Sequence, residues 1–401
     1  MSLNIRPLLS ALKRNPTGAL LVALQVAITL AVLVNAAWIV HQRIEKIEQP
    51  AGINTRDTFV LVVSGSSNKF DIAAAESEDL SYLRGLAGVA AATVTNGIPL
   101  TGNGGDTGLY LHPGERGRLV EAADMSFDQQ GLKTLGVSLL AGRNFRPDEI
   151  EPYTPGKQAP AAEVIVTQAL ARTLFPQGSA LGKTVYGGTP KTIIGIVSNF
   201  MGPQLGTPPY DTVIYPTLPG QYGGYYLLVR TQPGKRDAVL HEAKHHIGAA
   251  HRYGVVQYTQ TLASAKRQMH SANRNVAILL VIVTALMVAV CCLGIFGLTT
   301  FNVGSRTRQI GTHRALGARQ RDVVTHFLVE GALVLAGGAL LGSILALLIG
   351  NWLTAHYALP RLNLAYLLAG ILALTGVGEL AAWQPARRAA LIPPSVATRT
   401  V

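Results

Sequence analysis

Disulfide bonding is the first thing the composition excludes. The 401 residues include two cysteines, Cys291 and Cys292, which are adjacent and lie inside an apolar run. They cannot form a disulfide framework, so any exported part of the chain must fold on its own core. Charge is also scarce: 14% of residues are charged, and 22 acids against 34 Lys and Arg leave a net charge of +12. Aromatic residues make up 6%, and no basic stripe interleaved with aromatics appears. The basic residues cluster beside apolar runs instead, which excludes nucleic acid as a partner and points to membrane topology. A hydrophobic content of 48% is too high for an ordinary soluble domain and too low for a pure membrane bundle. Part of the chain is therefore expected outside the bilayer.

About 20 predominantly apolar residues are needed to cross a bilayer as a helix. Residues 17–40 and 275–303 meet this without a charge; 323–357 contains Glu330, and 362–384 contains Glu379. Four transmembrane helices follow. The first is read as a retained anchor, because its apolar stretch exceeds the roughly 7 to 15 residues of a signal peptide. Arg6, Lys13 and Arg14 precede it, a dense basic segment lies between the second and third, and Arg387, Arg388 and Arg399 follow the fourth. With four spans these clusters share one side, which positive charge assigns to the cytoplasm. Residues 1–16 form a cytoplasmic amphipathic segment, 304–322 a cytoplasmic loop and 385–401 a cytoplasmic tail. Both termini are expected inside the cell.

Residues 41–274 are then extracytoplasmic and long enough for an independent α+β domain. "DTFVLVVS" reads as a strand, 73–86 as a helix and 89–95 as a strand; "YYLLVR", 235–247 and 254–259 repeat the order. These strand-helix-strand halves, about 57–95 and 225–259, bracket a Gly- and Pro-rich insert at about 101–222, read as a small second lobe. Two motifs inside the domain call for weighing. "GSALGKT" at 178–184 has three residues between its glycines where a phosphate-binding loop needs four, and is read as a turn. "HEAKHHIGAAH" matches the metalloprotease pattern, with His241, His245 and His251 as ligands and Glu242 as base. However, Val239, Leu240, Ala243 and Ile247 form one helical face, which leaves His241 and His245 on the wet side. No metal site is expected; a membrane-anchored zinc metalloprotease is kept as the alternative of another class.

Glu330 and Glu379 are read as snorkelling or hydrogen-bonded between helices. Cys291, Cys292 and the small residues of "AGGALLG", 336–342, are read as packing positions.

The basic segment "SRTRQIGTHRALGARQRDVV", 305–324, holds five arginines, one histidine and a single acid, Asp322. It resembles the signature of FtsX/MacB-type ABC transporter permeases, approximately R-T-R-E-I-G-I-R-R-A-L-G-A. Arg306, Arg308, Ile310, Gly311, Arg314, Ala315, Leu316, Gly317 and Ala318 agree; Gln309 stands where that family usually has glutamate, and Thr312 and His313 replace commoner residues. "GVSLLAGRNF", "VIVTQALARTLFPQGSALGKTV" and "TIIGIVSNF" are similar to the family's periplasmic core domain. "PARRAALIPPSVATRT" resembles its C-terminal tail, with Pro393 in place of an acid.

The resemblance implies a non-catalytic permease subunit of the bacterial inner membrane. Residues 306, 308–311 and 314–318 would form a coupling helix against a separate ATP-binding subunit, which holds ATP and Mg; no cofactor is expected in this chain. A second permease copy or a homologous permease, membrane lipid and a periplasmic adaptor (membrane fusion) protein complete the implied partners. Spans one and two would carry the motion to the periplasmic domain, for efflux of peptides, antibiotics or lipid-linked compounds. Lipoprotein trafficking and regulation of cell-wall hydrolases are the alternatives inside the family. Leu316 and Ile310 lie six apart, about 120° around a helix, so Leu316 is expected at the ATPase and Ile310 at the membrane boundary. Gly311 and Gly317 are expected to admit tight backbone on either side.

The topology is directly testable. Single cysteines at positions 319 and 117 should label from inside only and outside only, respectively, in intact cells. Labelling of position 319 by a membrane-impermeant reagent added outside would reverse the orientation.

Overall fold

A computed structural model describes residues 16–114, 117–152, 162–204, 208–218, 223–357 and 360–391. The chain divides into two compact units. One is built from the two ends of the chain and the other from residues 49–272. Residues 1–15 and 392–401 lie outside the described residues.

The unit formed by 49–272 starts from strands buried on both faces, which accounts for their nearly unbroken apolar runs. In β1 (Thr58–Gly65), Phe59, Leu61 and Val63 point one way and Val60 and Val62 the other. β1 is followed by α2 (Ile72–Gly85, after α1 in the other unit) and β2 (Val89–Thr95). After a long insertion, β12 (Gly224–Thr231), α5 (Arg236–Ala250) and β13 (Gly254–Thr261) repeat the order. The four strands make one antiparallel sheet in the order β13-β1-β12-β2, a split β-α-β arrangement of the ferredoxin-like kind. Leu80 and Leu83 of α2 and Val239, Ala243 and Ile247 of α5 cover the Phe59–Leu61–Val63 face.

The insertion supplies a second sheet. Its path is β3 (Gly105–Leu109), β4 (Val120–Ser126), β10 (Thr212–Tyr215), β7 (Glu163–Thr167), β9 (Thr189–Val197) and β5 (Leu139–Gly142), with β8 (Thr184–Gly187) paired to β9; the short β6 (Glu151–Pro152) and β11 (Thr217–Leu218) pair with each other. Helix α3 (Gly131–Leu135) precedes β5, and α4 (Gln168–Leu174) follows β7. Ile165, Met125, Val197 and Ile214 of this sheet share a core with Val60, Val62 and Leu228 of the first. Val164 and Val166 face the other way, against Leu170 and Leu174 of α4. The insert is thus not a lobe set apart from the halves: its sheet packs on their open face.

Helix α2 also anchors a buried polar network. Its Arg84 pairs with Asp128 after β4, and Asp128 accepts from Thr93 Oγ1 at 2.8 Å and Gln130 N at 3.0 Å. Tyr225 donates to Asp79 at 2.6 Å, and His251 Nε2 lies 2.9 Å from the other Asp79 oxygen. Burial raises the Asp79 carboxyl, while the Tyr225 and His251 hydrogen bonds pull it back. Glu76, 7% exposed, is pushed up to about 7 by burial and the nearby Asp128 charge.

The other unit contains four helices long and apolar enough to cross a membrane among the described residues. These are α1 (Pro16–Glu48), α7 (Ser271–Ser305), α9 (Gln320–Tyr357) and α10 (Leu364–Ala390); α6 (Leu262–Met269) precedes α7, and α8 lies between α7 and α9. Without a hydrophobic force between helices in lipid, close packing at small residues does the work. Gly338 and Gly342 of α9 lie against α1, so that a Cβ at 342 would stand 2.8 Å from the Ala27 carbonyl oxygen and one at 338 2.7 Å from that of Ala23. Asn35 of α1 donates to Ala346 O of α9 at 3.1 Å. Val26, Leu30 and Val34 of α1 pack with Leu335 and Ala346 of α9 and Leu374 of α10. By contrast, α7 buries a single row of three residues spaced four apart, Cys291, Ile295 and Thr299.

Glu76 gives a pH prediction for the 49–272 unit. Its folded carboxyl titrates above its unfolded value, so the stability it contributes is present below the unfolded pKa and is lost as pH rises through about 7. Glu76→Gln should therefore stabilise this unit at pH 8, by about 3 kcal/mol at most, with the gain fading below pH 5. Urea unfolding followed by circular dichroism across that range measures it.

Candidate functional site

The segment between α7 and α9 is where arginines meet a helix end. α7 stops at Ser305, Arg306 forms a turn, and α8 (Thr307–Ala315) follows. Arg306 does not point outward as a docking residue would. Its two terminal nitrogens donate to the two carboxylate oxygens of Glu330 on α9, at 2.9 and 3.2 Å, and the Glu330 side chain is 7% exposed. A charge-assisted fork of this kind is geometrically specific. Glu330 is therefore neither snorkelling nor simply hydrogen-bonded: it is the counter-ion of Arg306. Glu379, in contrast, has one enclosed oxygen without a hydrogen-bond partner among the described residues.

One turn further, Ile310 is 6% exposed. It packs with Val323 and Phe327 of α9 and with Ala386, Ala389 and Ala390 of α10. Gly311 is buried beside it. Relative to Ile310, the helical positions of Arg308, Thr312 and Ala315 fall about 140–200° away, and all three are exposed. Gln309 is exposed as well, and Ala318 half-buried. Arg314 and His313 lie on α8, with side chains outside the described residues.

Leu316 is 86% exposed, although the angular reasoning from the sequence does not apply to it. The helix ends at Ala315, and Leu316 N caps it through Thr312 O at 3.1 Å. Gly317 then turns the chain at φ +97°, with open space where a Cβ would be. Its glycine serves the left-handed backbone that terminates a helix, not a close approach. Asp322, the loop's only acid, accepts from Arg319 N at 3.0 Å and caps the start of α9. The segment thus spends both nearby acids internally, while Arg308, Arg319 and Arg321 stay exposed. An exposed basic surface with an apolar tip at Leu316 is held on a buried seat.

Two of these features were hidden from sequence reasoning. The Arg306–Glu330 pair joins residues 24 apart, and only their flanking position at two helix ends could have hinted at it. The seat for Ile310 uses Ala386, Ala389 and Ala390, because α10 runs on through Pro385 to Ala390 where a tail was expected.

The histidine motif comes apart in three dimensions. Val239, Ala243 and Ile247 form the buried face of α5, leaving His241, Glu242 and His245 exposed. His251 follows the helix, extended at φ −115°, and is taken by Asp79. Among the described residues no group of three or more His, Cys, Asp or Glu side chains could hold a metal ion. "GSALGKT" runs through turns, with Gly178 and Gly182 at φ +111° and +75°, into β8.

The MacB-like periplasmic core domain family matches residues 19–245, more than half of the chain, and the FtsX-like permease C-terminal family matches residues 281–394. A macrolide export ATP-binding/permease protein MacB of Chromobacterium violaceum is 28% identical over 292 residues, covering 69% of this chain and 43% of that protein. One from Neisseria gonorrhoeae is 25% identical over 312 residues, covering 75% and 46%. The chain spans less than half the length of these curated relatives. Among solved structures, the periplasmic region of MacB from Actinobacillus actinomycetemcomitans aligns with a TM-score of 0.36 at 13% identity, over 56% of this chain and 97% of that one. The extracellular domain of the noncanonic ABC-type transporter YknZ from Gram-positive bacteria gives 0.33 at 15%, over 50% and 100%. The chain is a multi-pass membrane protein with an extracytoplasmic domain, and it belongs to the MacB-like ABC transporter permeases, with a MacB-like periplasmic core domain and an FtsX-like permease C-terminal region.

Proposed function

We propose that this chain is a non-catalytic permease of an ATP-driven transporter. In this reading it converts ATP hydrolysis by a separate subunit into motion of its extracytoplasmic domain. The observation that carries the reading is the construction of α8. Ile310 and Arg306 seat it on α9 and α10, while Arg308, Gln309, Ala315 and Leu316 face outward. A helix held this way can receive a load without being pulled from its seat, and its basic rim suits an acidic or polar groove.

ATP and Mg belong to the partner subunit. A second permease copy, identical or homologous, matches a pair of ATP-binding subunits, and a periplasmic adaptor protein and lipid are the further partners. The shared basic clusters support a cytoplasmic side of a bacterial inner membrane for both termini and α8. The cargo class is export of peptides, antibiotics or lipid-linked compounds, in keeping with relatives named for macrolide export.

Leu316→Asp tests this. An exposed aspartate costs the free chain little, so insertion and folding should be unchanged. Buried unpaired in a docking groove, the carboxylate costs several kcal/mol, so the ATP-binding subunit should no longer co-purify. Arg308→Glu should weaken the same contact, most of all at low salt. Normal binding and transport by both variants would remove α8 as the coupling element.

A further inference from the structure

The geometry points to a specific route for force inside this permease: from α8 through Arg306–Glu330 into α9, and from α9 into α1, with α7 as a trailing connection. Arg306 and Glu330 are the positioning pair that makes α8 and α9 move together. This rests on the coupling reading above and departs from the simpler expectation that spans one and two carry the motion as the stretches flanking the domain.

Three observations carry it. First, α8 is not a continuation of α7. The helix breaks at Arg306, and a break cannot transmit bending as an unbroken helix does. Second, α8 is fixed to α9 twice. The Arg306 guanidinium holds both Glu330 oxygens at 2.9 and 3.2 Å, and Ile310 packs on Val323 and Phe327 one turn away. One contact resists sliding through fixed geometry; the other resists separation by burying apolar surface. Third, α9 packs closely on α1. A Cβ at Gly338 or Gly342 would come within 3.0 Å of the α1 backbone at Ala23 and Ala27 and of the Val26 and Leu30 side chains, and Asn35 bridges to Ala346 O at 3.1 Å. Interfaces packed this closely have low compressibility and transmit displacement. α1 leads in sequence into Gln49 and the extracytoplasmic unit. α7 buries only Cys291, Ile295 and Thr299 within this chain, the smallest buried set of the four long helices.

The test uses the full chain in nanodiscs with the ATP-binding subunit recovered with it. Co-purification and permease-dependent change in ATP hydrolysis are read separately. Glu330→Gln should keep the subunit bound within about two-fold, because the pair faces away from the docking surface, yet lose at least ten-fold of the permease-dependent change. Arg306→Lys, which keeps the charge and loses the fork, should fall between. Arg306→Glu with Glu330→Arg should recover half or more of the change, which neither single variant does. Gly342→Val should also bind the subunit and fail to couple, through the α9–α1 contact alone. Full coupling in Glu330→Gln, or a swap no better than the singles, overturns the route. Loss of subunit binding in Glu330→Gln overturns it too, by making the pair part of the docking surface. An unmutated chain that neither binds nor modulates the subunit removes the coupling reading instead. Should Glu330→Gln not fold, Arg306→Lys and the swap carry the decision.

Discussion

A carboxylate placed in a membrane helix is tolerated when a counter-ion reaches it, since an unpaired charge there is expensive. Glu330 meets that condition through Arg306, and the end of the bundle that carries α8 is arranged around the pair. For the guanidinium to reach α9, α7 must stop at Ser305 and the chain must bend. The bend lays α8 against the ends of α9 and α10, which turns Ile310 inward and leaves Arg308 and Thr312 outward. Gly317 and Asp322 then close the loop, one by accepting a left-handed backbone and the other by capping α9. The basic segment is thereby held in place at Arg306.

The extracytoplasmic unit obeys a related rule with different materials. Its first sheet is apolar on both faces, so the helices take one side and the inserted sheet the other. Two sets of buried polar groups are paired across elements: Arg84 with Asp128, and Asp79 with Tyr225 and His251. Glu76 is held away from its ordinary ionisation by burial and by the nearby Asp128 charge. A unit without disulfides thus ties its halves to its insertion through α2, whose residues serve both the apolar core and the polar network.

What was legible in the sequence was whatever period and composition encode. Four uncharged or nearly uncharged runs mark four long helices, and "FVLVV" marks a strand covered on both sides. The arginine-rich signature marked the segment that holds α8. Long-range partners were illegible: Glu330 lies 24 residues from Arg306, and Asp79 lies 172 from His251. The metalloprotease pattern misleads for the same reason, because a motif fixes spacing along the chain and says nothing of competitors such as Asp79. The helical angle assigned to Leu316 carried the period past Ala315, where the helix ends. Ala386, Ala389 and Ala390 looked like tail because Pro385 suggests a stop, yet proline is tolerated in membrane helices when neighbours satisfy the freed backbone.

The central claim is that α8 moves as one body with α9. Electron–electron double resonance on the full complex measures this, after Cys291 and Cys292 are replaced by alanine and spin labels are placed in pairs at exposed Thr312 of α8, Leu341 of α9 and Leu286 of α7. Between the nucleotide-free and nucleotide-trapped states, the 312–341 distance should stay constant while the 286–341 distance shifts. A 312–341 distance that changes while 312–286 stays fixed would show α8 riding on α7, and would contradict the account.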